Sequence, residues 1–275
     1  MLGREKIIEV EKVLHNAGLY DRLEAEWVVT LALSKDRISE VLNLELNDAD
    51  INRIDNVLLQ RISGKPLAYI IGNAEFYGRN FVVDENVLIP RPETELLVDK
   101  LVQDINKSKA KLNVLDLCTG SGAIGITIAL ETNTNVLCSD ISEGAIKVAE
   151  RNNNNLNANI KLIQSDLFAE IFEKFDIIVS NPPYIKSEDV LSLDKEVRDF
   201  EPHLALDGGD SGLDFYKKII SEAPNYLKPN GKLYFEIGIG QSEDVKELMK
   251  NDFENIEVIK DYNKIDRVII GKLRV

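Results

Sequence analysis

Histidine and cysteine are nearly absent, two of each in 275 residues. Metal centres built on those side chains need three or four ligands at close spacing. His15, His203, Cys118 and Cys138 do not supply that pattern, so no metal is expected. Both cysteines fall inside apolar, strand-like runs, where a buried free thiol is the ordinary state and a disulfide is not. Long apolar runs are also missing. Nothing approaches the roughly 20 residues that span a bilayer, and the opening MLGREKIIEVEKV lacks the apolar stretch of a secretory signal. A cytoplasmic protein without a membrane partner is expected. Basic residues are outnumbered, 33 Lys and Arg against 47 Asp and Glu, for a formal charge of -14. That balance opposes a broad phosphate-binding surface, so nucleic acid is not an expected partner.

What is present is ordinary for a globular protein: 44% of residues are hydrophobic, enough for one large core and a smaller satellite. Residues 1–73 have helical periodicity. Ile7, Val10, Val13 and Leu14 recur at helix spacing, and so do Ile51, Ile54, Val57, Leu58 and Ile62 after the capping candidates Asn47 and Asp48. Arg22 to Ser34 reads as a further helix, with Leu23, Trp27 and Leu31 as its core stripe. Between 74 and 90 the character changes. Gly72 and Gly78 punctuate short β-rich runs, FVV and VLI, which read as a hairpin linking two domains. Pro90 and Pro92 stiffen its exit into a helix over ETELLVDKLVQDI.

From 91 to 275 apolar strands alternate with helices: LNVLDLC, NVLCSD, IKLIQSD, FDIIVSN and GKLYFEIG are strands, with helical segments between them. Short continuous apolar strands separated by helices predict an α/β fold with a parallel sheet covered on both faces. The closing pair, ENIEVIKDY and DRVIIGKL, joined through Asn263-Lys264, reads as a hairpin that adds an antiparallel edge. The NNNN run at 152 to 155 reads as a fraying helix end.

The polar residues gather at one place on this frame. Asp116, the loop Cys118-Thr119-Gly120-Ser121-Gly122, Asp140, Asp166 and Asn181 all fall at carboxyl ends of successive strands, where open α/β sheets bind ligands. Glycines in LDLCTGSGAIG let a ligand approach the backbone. Asp140, about twenty residues on, sits where an acid accepts hydrogen bonds from the two ribose hydroxyls. This pairing fits NAD and S-adenosylmethionine alike, and spacing alone does not choose.

The fourth strand does. Its exit, Asn181-Pro182-Pro183-Tyr184, resembles the fourth motif of the amino-methyltransferases, S-adenosylmethionine enzymes that methylate planar NH2 groups of adenine, cytosine or glutamine. GKPLAYIIGNAEFYG, VLIPRPETELLV and EVRDFEPHLALDGGDSGLDFYKKI narrow the likeness to the protein-(glutamine-N5) methyltransferases of peptide chain release factors. The resemblance implies a Rossmann-like class I methyltransferase sheet behind a small helical domain that binds the release factor. It implies S-adenosylmethionine as cofactor, S-adenosylhomocysteine as product, and the glutamine of a Gly-Gly-Gln loop as target; apart from the resemblance, a monomer is expected. Cys118 to Gly122 would wrap the methionine part, Asp140 hold the ribose, and Asp166 and Leu167 border the adenine. Two positions depart from the family pattern: Cys118 where many relatives have glycine, and Leu167 where several have an aromatic. Arg91 and Glu93 either shape the peptide entrance or form a salt-bridged helix start. FEPHLAL, with Glu201 and His203, reads either as a lid over the substrate or as a structural segment, with His203 a structural or surface residue rather than a catalyst.

An amide nitrogen is a poor nucleophile, and two acceptors aimed at its N–H bonds would orient it and stabilise the charge that develops on it. The Asn181 side-chain oxygen and the Pro182 carbonyl are the candidates, with Pro183 in the substrate wall and Tyr184 as a stacking face. The alternative of a DNA adenine-N6 methyltransferase shares this crevice but must flip a base and track phosphate. A Rossmann reductase leaves NPPY unexplained, and a helical adapter needs neither motif.

Overall fold

The computed structural model describes residues 1–20, 22–35, 37–108 and 110–274. One unit comprises Met1–Gly72 with Lys195–Phe200, the other Asn73–Asp194 with Glu201–Val275. In the first, α1 (Gly3–Asn16), α2 (Arg22–Ala32), α3 (Asp48–Ile62) and the short α4 (Leu67–Ile71) enclose Ile7, Val10, Leu14, Val28, Val29, Ile54 and Leu58. Asn47 caps α3: its Oδ1 accepts the Asp50 N–H at 3.0 Å, and Asp50 Oδ2 accepts the Asn47 N–H at 3.1 Å, so two orphan donors are satisfied reciprocally. Charges inside this unit are paired, as burial demands. The Lys6 ammonium meets Asp55 at 2.7 Å and Glu9 at 3.0 Å, and Arg61 pairs with Glu24 and, at 3.0 Å, with Glu196.

The expected stripe of α2 is corrected. Leu23 and Trp27 are each 51% exposed, and the buried face is Ala25, Val28 and Val29. The run is apolar on two sides, and helical spacing fits both.

The second unit begins with a hairpin, β1 (Asn73–Phe76) and β2 (Arg79–Val82), antiparallel about Tyr77-Gly78. The run VLI at 87–89 forms no ladder. After α5 (Pro92–Asn106) come β3 (Asn113–Leu117), α6 (Ala123–Glu131), β4 (Asn135–Asp140), α7 (Glu143–Leu156), β5 (Lys161–Gln164) and β6 (Phe175–Ser180). Two short helices follow, α8 (Ser187–Val190) and α9 (Lys195–Phe200), the latter counted with the first unit. The chain ends with α10 (Asp214–Tyr226), β7 (Leu227–Glu236), α11 (Ser242–Met249), β8 (Phe253–Lys260) and β9 (Asp266–Leu273). No helix among the described residues is long and apolar enough to cross a membrane.

The sheet order is β5-β4-β3-β6-β7-β9-β8, parallel except for β9, which runs antiparallel to both neighbours. Alternating side chains enter two different cores, because successive residues of a strand face opposite ways. Val114, Ile177, Val179 and Tyr234 join α5 and α6 on one face. Leu115, Ile178, Leu233 and Phe235 join α10 and α11 on the other. The strand order reverses between β3 and β6, and ligand crevices open at such a switch point.

The approach of α6 to the sheet depends on Gly125. A Cβ there would lie 2.2 Å from Cys138 Sγ and 3.0 Å from Asp116 Oδ2, inside a packed layer with no space to yield. Gly125→Ala is therefore expected to destabilise the protein by about 1–3 kcal/mol. Urea unfolding should show a lowered midpoint at an unchanged slope.

Candidate active site

Asp116 is the anchor of the loop after β3. It is fully buried, and its Oδ2 accepts the Thr119 hydroxyl at 2.5 Å and the Gly125 N–H at 3.0 Å. Burial pushes its carboxyl up to about 7 against those hydrogen bonds. The chain between them turns through left-handed conformations at Cys118 (φ 58°), Gly120 (φ 55°) and Gly122 (φ 81°). Such a conformation costs a residue with a Cβ, which gives glycine at the Cys118 position its physical reason. The thiol packs against the apolar layer of α10 and α11, and burial pushes it up, away from the reactive thiolate.

Asp140, ending β4, reaches back to this loop. Its Oδ2 accepts the Gly120 N–H and its Oδ1 the Ser142 N–H, both at 2.9 Å. Desolvation raises its pKa against these bonds. A cavity of about 290 Å³ opens here, walled by Cys118, Thr119, Gly120, Ser121, Asp140, Ile141, Asp166, Leu167, Asn181 and Pro183. Gly122 is not on the wall; it caps α6 from behind. Leu167 is left-handed as well (φ 47°), its turn held by the Ser165 hydroxyl donating to the Leu167 carbonyl at 2.9 Å.

Asn181 follows β6 directly, and the preceding Ser180 hydroxyl donates to the Leu117 carbonyl at 2.8 Å. That bond fixes the two strand exits side by side. Pro182 and Tyr184, in contrast, lie off the cavity wall. The Tyr184 hydroxyl donates to Glu236 Oε1 at 3.3 Å, the Thr94 hydroxyl donates to Glu236 Oε2 at 2.6 Å, and Asn181 Nδ2 donates to Thr94 Oγ1 at 3.5 Å. Among the described residues, no donor reaches Asn181 Oδ1 or the Pro182 carbonyl. The DGGDSG segment braces the tetrapeptide. Gly208 N–H donates to the Ile185 carbonyl at 2.7 Å, and a Cβ on Gly208 would lie 2.7 Å from Tyr184 Cα.

Arg91 lines the cavity and is ion-paired with buried Glu201, whose other oxygen accepts the Ile89 N–H at 3.3 Å. Pro202, Leu204 and Ala205 supply cavity wall. His203 is not in the wall and lies 3.9 Å from Asp207.

Three residues escaped the sequence reading. Thr94, itself on the cavity wall beside Asn181, and Glu236 behind it complete the network; an acid closing GKLYFEIG at a strand end met the criterion that singled out Asp116 and Asp140. Asn152 corrects the fraying-end reading of NNNN. It is fully buried, accepting the Val82 N–H at 2.6 Å and donating to the Val82 and Ser121 carbonyls at 3.0 and 2.9 Å. It ties the hairpin to the glycine loop.

The chain is similar to known proteins over most of its length. Residues 92–197 match the methyltransferase small domain and residues 6–72 the PrmC N-terminal domain. The release factor glutamine methyltransferase of Clostridium acetobutylicum is 40% identical over 90% of this chain and 90% of its own length. That of Geobacter sulfurreducens is 40% identical over 96% of this chain and 92% of its own. A methyltransferase structure from Pyrococcus furiosus superposes with a TM-score of 0.56 at 20% identity, covering 80% of this chain and 100% of that one. It shares the fold. With whole-length relatives at this identity, and with the strand order, glycine loop and NPPY exit in place, the chain belongs to the release factor glutamine methyltransferase family.

Proposed function

We propose that this protein transfers a methyl group from S-adenosylmethionine to the side-chain amide nitrogen of a glutamine in a peptide chain release factor, the glutamine of its Gly-Gly-Gln loop. The observation that carries the reading is Asn181. It sits on the same cavity wall as the glycine loop and Asp140, with its amide oxygen unclaimed by any described donor. The DNA adenine alternative is not favoured by full-length relatives of this name or by a formal charge of -14.

The residues present fit the cofactor. Gly120 leaves the wall open where a Cβ would stand, with nothing within 4 Å of it. Asp140 offers a ribose two hydroxyl acceptors while its backbone partners fix its plane. Ile141 and Leu167 give the wall apolar surface for a base. Bound there, S-adenosylmethionine supplies an electrophilic methyl on a sulfonium. The chain's own task is then positional. Asn181 Oδ1, on the wall, accepts one N–H bond of the target amide, aims its nitrogen and stabilises its growing positive charge; the Pro182 carbonyl, which lies off the wall, takes the other once the amide has seated against the turn. Pro182 offers no N–H to compete, and the proton leaves to solvent. Tyr184, off the wall, supports the turn from behind. The helical unit grips the release factor, with the exposed Leu23 and Trp27 as apolar contact.

Mass spectrometry of a release factor incubated with enzyme and labelled cofactor should place one methyl on the Gly-Gly-Gln glutamine; label on duplex DNA alone would overturn the reading. Asn181→Ala should lower kcat by about 10²–10³ while calorimetry shows cofactor Kd nearly unchanged. Trp27→Ala should raise KM for the intact release factor by about tenfold and leave kcat intact.

A further inference from the structure

We propose that Thr94 and Glu236 are positioning residues that set which end of the Asn181 side-chain amide faces the cavity. The proposal rests on the reading of Asn181 as the acceptor for the target amide. The two ends of an asparagine amide are nearly the same size and opposite in hydrogen-bonding sense. With the oxygen outward, Asn181 accepts from the substrate NH2; with the nitrogen outward, donor faces donor. Shape does not select between them, so a hydrogen-bond partner must.

Thr94 provides that selection. Its hydroxyl has one proton, and an ionised carboxylate can only accept. At 2.6 Å from Glu236 Oε2, within the range of charge-assisted O–H bonds, that proton is committed to Glu236. Thr94 Oγ1 then has only lone pairs to offer Asn181, and the group at 3.5 Å from it is the Nδ2 donor. Asn181 Oδ1 is thereby turned away from Thr94. The second oxygen of Glu236 accepts the Tyr184 hydroxyl at 3.3 Å, so one carboxylate holds both ends of NPPY. Glu236 is itself held, because the Tyr216 hydroxyl donates to its backbone carbonyl at 3.0 Å.

The polarity of this relay follows the charge on Glu236. Glu236 is 3% exposed. It faces Thr94 and Glu93 from α5, Tyr184 after β6, Tyr216 from α10 and Arg267 from β9, and the Arg267 guanidinium is already paired with Asp261 at 3.0 Å. Burial, with Glu93 adding, raises the Glu236 carboxyl above its ordinary value, against the opposing effect of Thr94, Tyr184 and Arg267. When Glu236 takes a proton from solvent and donates it to Thr94 Oγ1, the Thr94 proton turns to Asn181. Only Oδ1 accepts there, and the amide flips. Activity is therefore complete above the Glu236 pKa and lost as pH falls through it.

Thr94→Val keeps the shape and removes the hydroxyl, and Thr94→Ser keeps the hydroxyl. We expect Thr94→Val to lower kcat about 10- to 100-fold with KM for the release factor and cofactor Kd unchanged. Thr94→Ser should recover most of the loss. The wild-type acid limb of kcat should have its midpoint above the ordinary glutamate value, and Thr94→Val should flatten it. Wild-type kcat in Thr94→Val, a Thr94→Ser variant as slow as Thr94→Val, or a loss confined to KM or cofactor Kd would each overturn the relay. Asn181→Ala, measured alongside, separates the two claims. If it stays active, the acceptor reading itself fails; if it is inactive while Thr94→Val is normal, only the relay fails.

Discussion

The parallel pairing of β3 with β6 is the constraint on which the site depends. Leu117 lies in register with Ser180, and the Ser180 hydroxyl bonds the Leu117 carbonyl, so the two strands end level. One exit delivers the glycine loop and the other delivers Asn181. Neither exit is rigid alone: the loop is held by Asp116 and Asp140, and NPPY by Glu236 and the glycines of DGGDSG. A slip of one residue in this register would turn Leu117 and Ser180 to opposite faces and separate the two halves of the cavity.

The charge balance of the site follows from the same geometry. Asp116, Asp140 and Glu236 stand at strand carboxyl ends, and desolvation raises the pKa of all three. Each is used as an acceptor of protein hydrogen bonds, two to a backbone or hydroxyl donor of the glycine loop and one to Thr94 and Tyr184. Their common work is to fix backbone and side-chain direction, which is what the proposed direct transfer requires.

Legibility in the sequence tracked distance along the chain. The glycine loop and NPPY were readable because their chemistry is contained in a few consecutive residues at the end of an apolar strand. The sheet was readable because buried parallel strands leave continuous apolar runs. Thr94 and Glu236 are 142 positions apart, and their meeting is a property of strand order that no local pattern contains. The buried face of α2 was misread because apolar residues lie on two sides of that helix. Asn152 was misread because a polar repeat looks solvated, whereas its first member is a fully satisfied core amide. The membership of Lys195–Phe200 in the helical unit had no local signal either.

That last feature bears on how the protein is made. Chains emerge from the ribosome from the N-terminus, and domains generally fold as they appear. Here the helical unit lacks α9 until residue 200 has been synthesised, and until then Arg61 lacks Glu196 and the Ser63 carbonyl lacks the Lys195 ammonium. The first domain to begin is therefore completed only after Asn73–Asp194 of the second has been translated. Its closure waits for the strand that delivers Asn181, and a nascent chain completes its helical unit only after the tetrapeptide Asn181-Pro182-Pro183-Tyr184 has been translated.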